Sequence, residues 1–278
     1  MPDAVDLSYC MKLPPKKAVE YLRSKGYQIT WDWEDLWQDA QAKAFTVAKV
    51  TRLDILQDIR NAVETAINEG KTFQWFAKEL TPVLQAKGWW GKQDHVDEDT
   101  GEITQVQLGS PWRLQTIYRA NLQTAYMAGR YAEQMANVDD RPYWMYVAIL
   151  DSRTRPSHRA MNGKVFRYDD PFWQSFYPPN GWGCRCRVVS LSHDEIIARG
   201  IKVESSGSRL GKTLKLVNEK TGEMREAATF RAIDPATLRE IVVSPDVGWS
   251  YNPGAAAWRP DASRYTSDLA TVARGELH

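Results

Sequence analysis

Two thiols, an imidazole and a carboxylate fall within one short stretch of this 278-residue chain: Asp151, His158, Cys184 and Cys186. One residue separates the two cysteines. In an extended backbone, residues i and i+2 point to the same side, ~6 to 7 Å apart at Cα. Both sulfurs can therefore reach one metal ion at the ~2.3 Å zinc–sulfur distance. His158 would add a nitrogen, and Asp151 or His193 would complete four ligands of a structural zinc that couples the folding of the loop to metal. The spacing departs from the Cys-x2-4-Cys of familiar zinc sites, and two other states fit the same residues. One is a pair of reduced, partly buried thiols beside a hydrogen-bonding histidine. The other is a disulfide, within the strained pair or with Cys10.

Catalysis is the competing chemistry. Cysteine, histidine and aspartate are the composition of a thiol nucleophile, its base and an orienting carboxylate. No nucleophile elbow or oxyanion-hole signature accompanies them, and no Gly-rich phosphate loop appears. The chain is accordingly read as a non-enzyme, with an enzyme or toxin-like module using His158, Cys184 and Cys186 as the alternative.

The stretch from Asp151 to Cys186 is dense in Pro, Gly and Asn, ending in Pro178-Pro-Asn-Gly-Trp-Gly-Cys184-Arg-Cys186. Such a composition excludes regular secondary structure throughout, so the loop needs a tie at its base, and the four site residues are expected to converge there. Thr154 and Ser157 are expected to cap a short helix carrying His158. Gly163, Gly181 and Gly183 should supply turn geometry that side chains forbid. Were the histidine and cysteines far apart, the loop would instead be a partner surface built from Phe172, Trp173, Phe176 and Trp182.

The elements that must position this loop are partly visible in hydrophobic period. Pro14-Pro15 and Gly26 bracket a short helix, and Trp33, Leu36, Trp37 and Ala40 suggest a second over about 32–45. Leu53, Leu56, Ile59, Val63 and Ile67 form a stripe closing at Gly70, and Phe73, Phe76, Leu80 and Leu84 continue it to Gly88. An acidic, turn-rich segment around Asp99-Thr-Gly101 suggests an exposed hairpin. Pro111 then opens the longest helix, where Gly129, costing roughly 1 kcal/mol relative to Ala, hints at close packing against another backbone. Beyond Pro142 the period changes. Tyr143-Trp-Met-Tyr-Val-Ala-Ile-Leu150 resembles a strand buried on both faces, and Arg187-Val-Val-Ser-Leu191 another. Ser192 and Glu195 form a capping box, Leu214 to Glu226 a second hairpin, Asp234-Pro235 a helix start, and Asp246 to Gly254 a turn-rich segment.

These signals give an α+β fold: a helical N-terminal region (1–90), a compact module with a small, mainly antiparallel sheet (91–254), and a polar tail (255–278). The chain is long enough to bury a substantial core. Its 36 Lys+Arg against 35 Asp+Glu give a net charge of +1, no argument for a chain that coats nucleic acid or a membrane surface. The basic residues Arg199, Lys202, Arg209, Lys212, Lys215, Lys220 and Arg225 outnumber the acids around them and suggest a strip for phosphates, or simply a solvated face. No segment begins like a signal peptide, and no window reaches the ~18 apolar residues of a membrane span. Three cysteines do not make a disulfide framework and suit a reducing cytoplasm. The 12 tryptophans suggest either a Trp-rich core or anchors for partner subunits.

Taken together, several segments resemble the minor head proteins of tailed phages, the Mu F-like and SPP1-like head morphogenesis family. They are Leu13-Pro-Pro-Lys-Lys-Ala, Arg113 to Tyr126 with Ala128-Gly-Arg130, Asp151, Thr154 and His158, Gly163, the Pro-Pro-Asn-Gly-Trp-Gly-Cys-Arg-Cys run, and Gly248-Trp-Ser-Tyr-Asn-Pro-Gly254. The resemblance implies a structural protein present in a few copies per virion head, assembled in the host cytoplasm. Its partners would be the portal protein, the major capsid protein or both, and the packaged DNA, bound without sequence preference. It implies neither a membrane nor a small-molecule substrate. Some relatives carry a toxin domain beyond the shared module, and this chain has no length left for one after Gly254.

Overall fold

The structure, a computed structural model, describes residues 15–32, 35, 40–96, 101–219 and 221–258. Its first half is helical. Helix α1 (Pro15–Ser24) is followed by a two-residue strand β1 (Gly26–Tyr27), helix α2 (Ala40–Lys43) and strand β2 (Ala44–Phe45), parallel to β1. Helices α3 (Leu53–Glu69) and α4 (Phe73–Ala86) carry the apolar stripes seen in the sequence. Of the first stripe, Leu56, Ile59, Val63 and Ile67 are buried while Leu53 stays exposed. Gly70 ends α3 in the left-handed conformation at φ +62°, its N–H donating to the Ala66 carbonyl, where a side chain would be strained. Of the helix expected over 32–45, the described residues form an α-helix at Ala40–Lys43 and turn to strand at Ala44–Phe45. Phe45 leaves the helix because it is fully buried in the first core, and tertiary packing overrides local propensity. Trp33, Leu36 and Trp37 lie outside the described residues.

The exposed hairpin forms from β3 (Lys92–Val96) and β4 (Ile103–Gln107), and its expected tip, Asp99-Thr100, lies outside the described residues. Helix α5 (Pro111–Met135) follows. Ser110 caps it by accepting the Arg113 N–H, with proline at the first helical position, a site where the missing donor costs nothing. The N-terminal half of α5 buries Leu114, Tyr118, Leu122 and Ala125 in a core with α1, α3 and α4. Its C-terminal half turns Met127 and Tyr131 into a second core. One helix thus belongs to both cores. The close approach inferred at Gly129 is real: a Cβ there would lie 3.1 Å from the backbone nitrogen of Ala18 on α1.

The second core lies between two sheets. The first has strand order β7–β5–β6–β8, with β5 (Tyr143–Val147) central and antiparallel to both β6 (Val165–Arg167) and β7 (Arg187–Leu191). Strand β8 (Val203–Glu204) adds parallel to β6. The second sheet is antiparallel, β11–β10–β9, from β9 (Leu210–Asn218), β10 (Glu223–Ile233) and β11 (Glu240–Val243). Between them sits an aromatic cluster in which Phe172 stacks on Phe166 and Phe176, and Phe230 meets Phe172 edge-on at 5.0 Å. The fold is the expected α+β arrangement with mostly antiparallel strands. Helix α8 (His193–Ala198) carries the Ser192/Glu195 capping box in full.

Two boundaries differ from the sequence reading. Asp234-Pro235 begins no helix. Asp234 accepts from the Ala236 N–H and the Thr237 hydroxyl and so closes the turn between β10 and β11. Aspartate before proline signals a turn as well as a helix cap, and pairing of β11 with β10 decides between them. Helix α9 (Pro253–Trp258) crosses the expected boundary at 254, while 259–278 lie outside the described residues. Among the described tryptophans, Trp89, Trp144, Trp173 and Trp249 are buried, Trp31, Trp75 and Trp90 are half-buried, and Trp112 and Trp182 are exposed.

Candidate metal centre

His158, Cys184 and Cys186 come together in the interior. Their ligand atoms all lie within 4.8 Å of one another, and all three residues are buried. The His158 Nδ1 is 3.2 Å from the Cys186 sulfur and 3.7 Å from that of Cys184. Both cysteines are free thiols, and Cys10, the other partner considered for a disulfide, lies outside the described residues.

Three pieces of chain build the cluster. His158 rides on helix α6 (Pro156–Met161), whose N-cap is Arg155 with no side-chain cap and with proline at its start. The expected capping by Thr154 and Ser157 is therefore corrected. Pro156 fixes the first helical φ and removes a donor that would need a cap. The Thr154 hydroxyl instead donates to the Ile149 carbonyl. The second piece is the loop ahead of β7. Gly183 adopts φ +67°, and the Cys184 N–H donates to the Gly181 carbonyl at 3.1 Å. The third is α5, whose Gln123 amide donates to the Cys186 carbonyl at 2.9 Å. Gln134 of the same helix donates to the Val188 carbonyl two residues further on.

The alternation expected of Cys-x-Cys holds, and it also places the residue between. While both sulfurs face His158, Arg185 turns the other way and grips Asp151 with two hydrogen bonds of 2.7 and 2.6 Å. Asp151 also accepts from the Arg153 N–H and the Thr154 hydroxyl, each at 3.0 Å. The Arg185 guanidinium beside it holds its carboxyl well below the usual carboxylate range. Asp151 thus stands on the far side of the loop backbone and outside the cluster. His193, the other suggested ligand, sits at the start of α8 with its ring against Tyr143.

Electrostatics divides the two thiols. Burial opposes ionisation of Cys184, but hydrogen bonds from Cys186 and His158 outweigh it and hold the thiol well below its ordinary value. Cys186 is pushed well up, first by its hydrogen bond to Cys184 and then by burial. The two thiols are thus unequal, Cys184 being the more readily ionised of the pair. Sequence reasoning missed Tyr146 of β5, whose hydroxyl reaches the Asn180 side-chain oxygen at 3.0 Å. Burial, then the two cysteines, push its phenol well up. Its signal was the alternation along β5, which sends every second residue to the loop side.

Of the loop's four aromatic residues considered for a partner surface, Phe172 and Trp173 of helix α7 (Phe172–Phe176) and Phe176 are buried in the core, and Trp182 is exposed. The Asp246 to Gly254 segment locks the loop from outside. Asp246 pairs with Arg155 at 2.7 Å, Trp249 meets Trp182 edge-on, and Asn252 donates to the Trp173 carbonyl while accepting from the Gly254 and Ala255 N–H groups at the start of α9. A Cβ on Gly181 would lie 2.2 Å from the Asp246 carboxylate, so glycine makes room for that ion pair. Nearby, a cavity of about 760 Å³ is lined by Lys25, Trp112, Arg113, Trp182, Trp249 and Tyr251, among others.

Residues 57–189, which contain the whole cluster, match the family described as Phage Mu protein F like protein. The chain is 50% identical over 260 residues to the putative capsid assembly protein F of Escherichia phage Mu, covering 92% of this chain and 58% of that protein. It is 48% identical over 237 residues to the Mu-like prophage FluMu F protein of Haemophilus influenzae, covering 84% of this chain and 55% of that one. The chain thus spans less than three-fifths of the length of these relatives. No solved structure matches it. With the match reaching across both cores and the loop between them, the chain belongs to the Mu F-like family of phage proteins.

Proposed function

We propose that this chain is a structural protein of phage head assembly, working beside the portal and contacting DNA during packaging or ejection. The observation that carries this reading is the 50% identity, along 92% of the chain, to a protein named for capsid assembly. A structural role also suits the chemistry. His158, Cys184 and Cys186 are all at least nine-tenths buried, whereas a thiol nucleophile needs access to its substrate. The described residues include no helix long and apolar enough to cross a membrane. The proposed partners are the portal protein, the major capsid protein or both. DNA contact is not assigned to the 199–225 strip, because Arg209, Lys212 and Arg225 there are paired with Glu204, Glu226 and Glu223. Deleting the gene in the phage that carries it tests the reading: heads should be misassembled or empty. Particles of normal composition, DNA content and infectivity would refute it.

A further inference from the structure

We propose that His158, Cys184 and Cys186 bind a zinc ion as a structural centre of the fold. Around a tetrahedral zinc with bonds of ~2.3 Å to sulfur and ~2.0 to 2.1 Å to nitrogen, a sulfur and a nitrogen lie about 3.6 Å apart. The two nitrogen–sulfur distances here, 3.2 and 3.7 Å, bracket that edge. A sulfur–sulfur edge would be about 3.8 Å on the same bonds, inside the 4.8 Å that contains all three ligand atoms.

Donor chemistry selects the ion. Two thiolates and an imidazole suit zinc, while magnesium and calcium demand oxygen. The carboxylate expected in the ligand set, Asp151, is turned away and held by Arg185. Zinc(II) and two thiolates sum to zero charge, so the buried centre is neutral beside an already balanced Asp151–Arg185 pair. Binding releases the thiol protons that remain and breaks no other bond. The surroundings hold the donors in place: Gln123 fixes the Cys186 carbonyl, Pro156 starts the helix that carries His158, and Tyr146 and Asn180 are bonded to each other beside the sulfurs. Among the described residues, His158, Cys184 and Cys186 supply three of zinc's four tetrahedral positions.

The centre does not depend on the role in head assembly and is tested without it. Full-length chain with Cys10→Ser, so that only the clustered thiols report, is purified without chelator, dialysed against zinc and analysed for metal. About one zinc per chain is expected, with cobalt substitution giving thiolate-to-cobalt charge transfer and the intense visible bands of a tetrahedral site. Cys184→Ser and His158→Ala should each lower zinc affinity by at least tenfold. Folded protein that takes up no zinc overturns the proposal, and so does unchanged zinc affinity in a folded Cys184→Ser. Should the variants fail to fold, the Cys10→Ser protein still decides. Zinc released only when a mercurial blocks the two remaining thiols supports the site, and zinc that leaves without thiol blockade overturns it.

Discussion

Lys25 is buried with 8% of its surface exposed, and its ammonium stands 5.4 Å over the Tyr21 ring. Burial, aided by the charge of Arg60, pulls its pKa down to about 7, against ~10.4 for a free lysine. Below pH 7 the residue is charged in both the folded and unfolded chain, and the folded state bears the full cost of burying it. Between about 7 and 10.4 the unfolded chain binds more protons than the folded one, so stability rises with pH through that window. At 1.36 kcal/mol per pH unit, the gap between about 7 and ~10.4 corresponds to nearly 5 kcal/mol. The adjoining cavity admits water, so about 3 to 5 kcal/mol is the working range. Lys25→Met removes the charge and keeps the volume. Urea unfolding should find it more stable than the parent by about that amount at pH 6 to 7, with the advantage shrinking by about 3 kcal/mol by pH 9.5. Tyr21 is itself pushed well above its ordinary value by burial and by Tyr251, so pH 9.5 is the proper upper limit. A pH-independent difference, or a variant less stable than the parent at pH 7, would refute the argument.

Arg185→Ala should raise the Asp151 carboxyl from its depressed value toward ~3.9, measurable by carbon NMR. Because the folded pKa is depressed, the stability it contributes is present above about pH 4 and lost as pH falls, and the variant should be less acid-sensitive. Gly254→Ala would place a Cβ 2.4 Å from that of Tyr131. Such overpacking costs about 1 to 3 kcal/mol, more than the roughly 1 kcal/mol of helix propensity gained, so its melting temperature should fall. Phe230→Ala opens a hole among Phe166, Phe172 and Phe176 and should cost about 3 to 5 kcal/mol in denaturant unfolding. A 105–258 fragment should lose its cooperative melt by circular dichroism, since it strips α1, α3 and α4 from the apolar face of α5.

Much of this fold was legible because local signals and tertiary demands agree. The capping box at Ser192, the proline-opened α5 and the strand Arg187–Leu191 need no distant information. Where they disagree, the sequence misleads. Phe45 sits in a helical pattern but is claimed by the core, and Asp234-Pro235 opens a turn because β11 lies within reach of β10. In the cluster, i and i+2 alternation brought both sulfurs to one side. The same rule, applied to Arg185, would have sent that side chain to Asp151 and removed the carboxylate from the ligand set. What no pattern could give is which distant segments meet: Gln123 with Cys186, Asn252 with Trp173, or Asp246 with Arg155.

Helix α5 runs about 37 Å at 1.5 Å per residue, with one end embedded in the helical core and the other in the aromatic one. A load applied to either half must travel along a rod whose hydrogen bonds lie parallel to its axis. Its glutamines grip the carbonyls of Cys186 and Val188, so the rod is riveted to the strand leaving the thiol cluster. Separating the halves means shearing those bonds and extracting the helix lengthwise, whereas peeling the β3–β4 hairpin breaks one rung at a time. Tension across this chain would therefore strip its hairpin long before it parts the two cores.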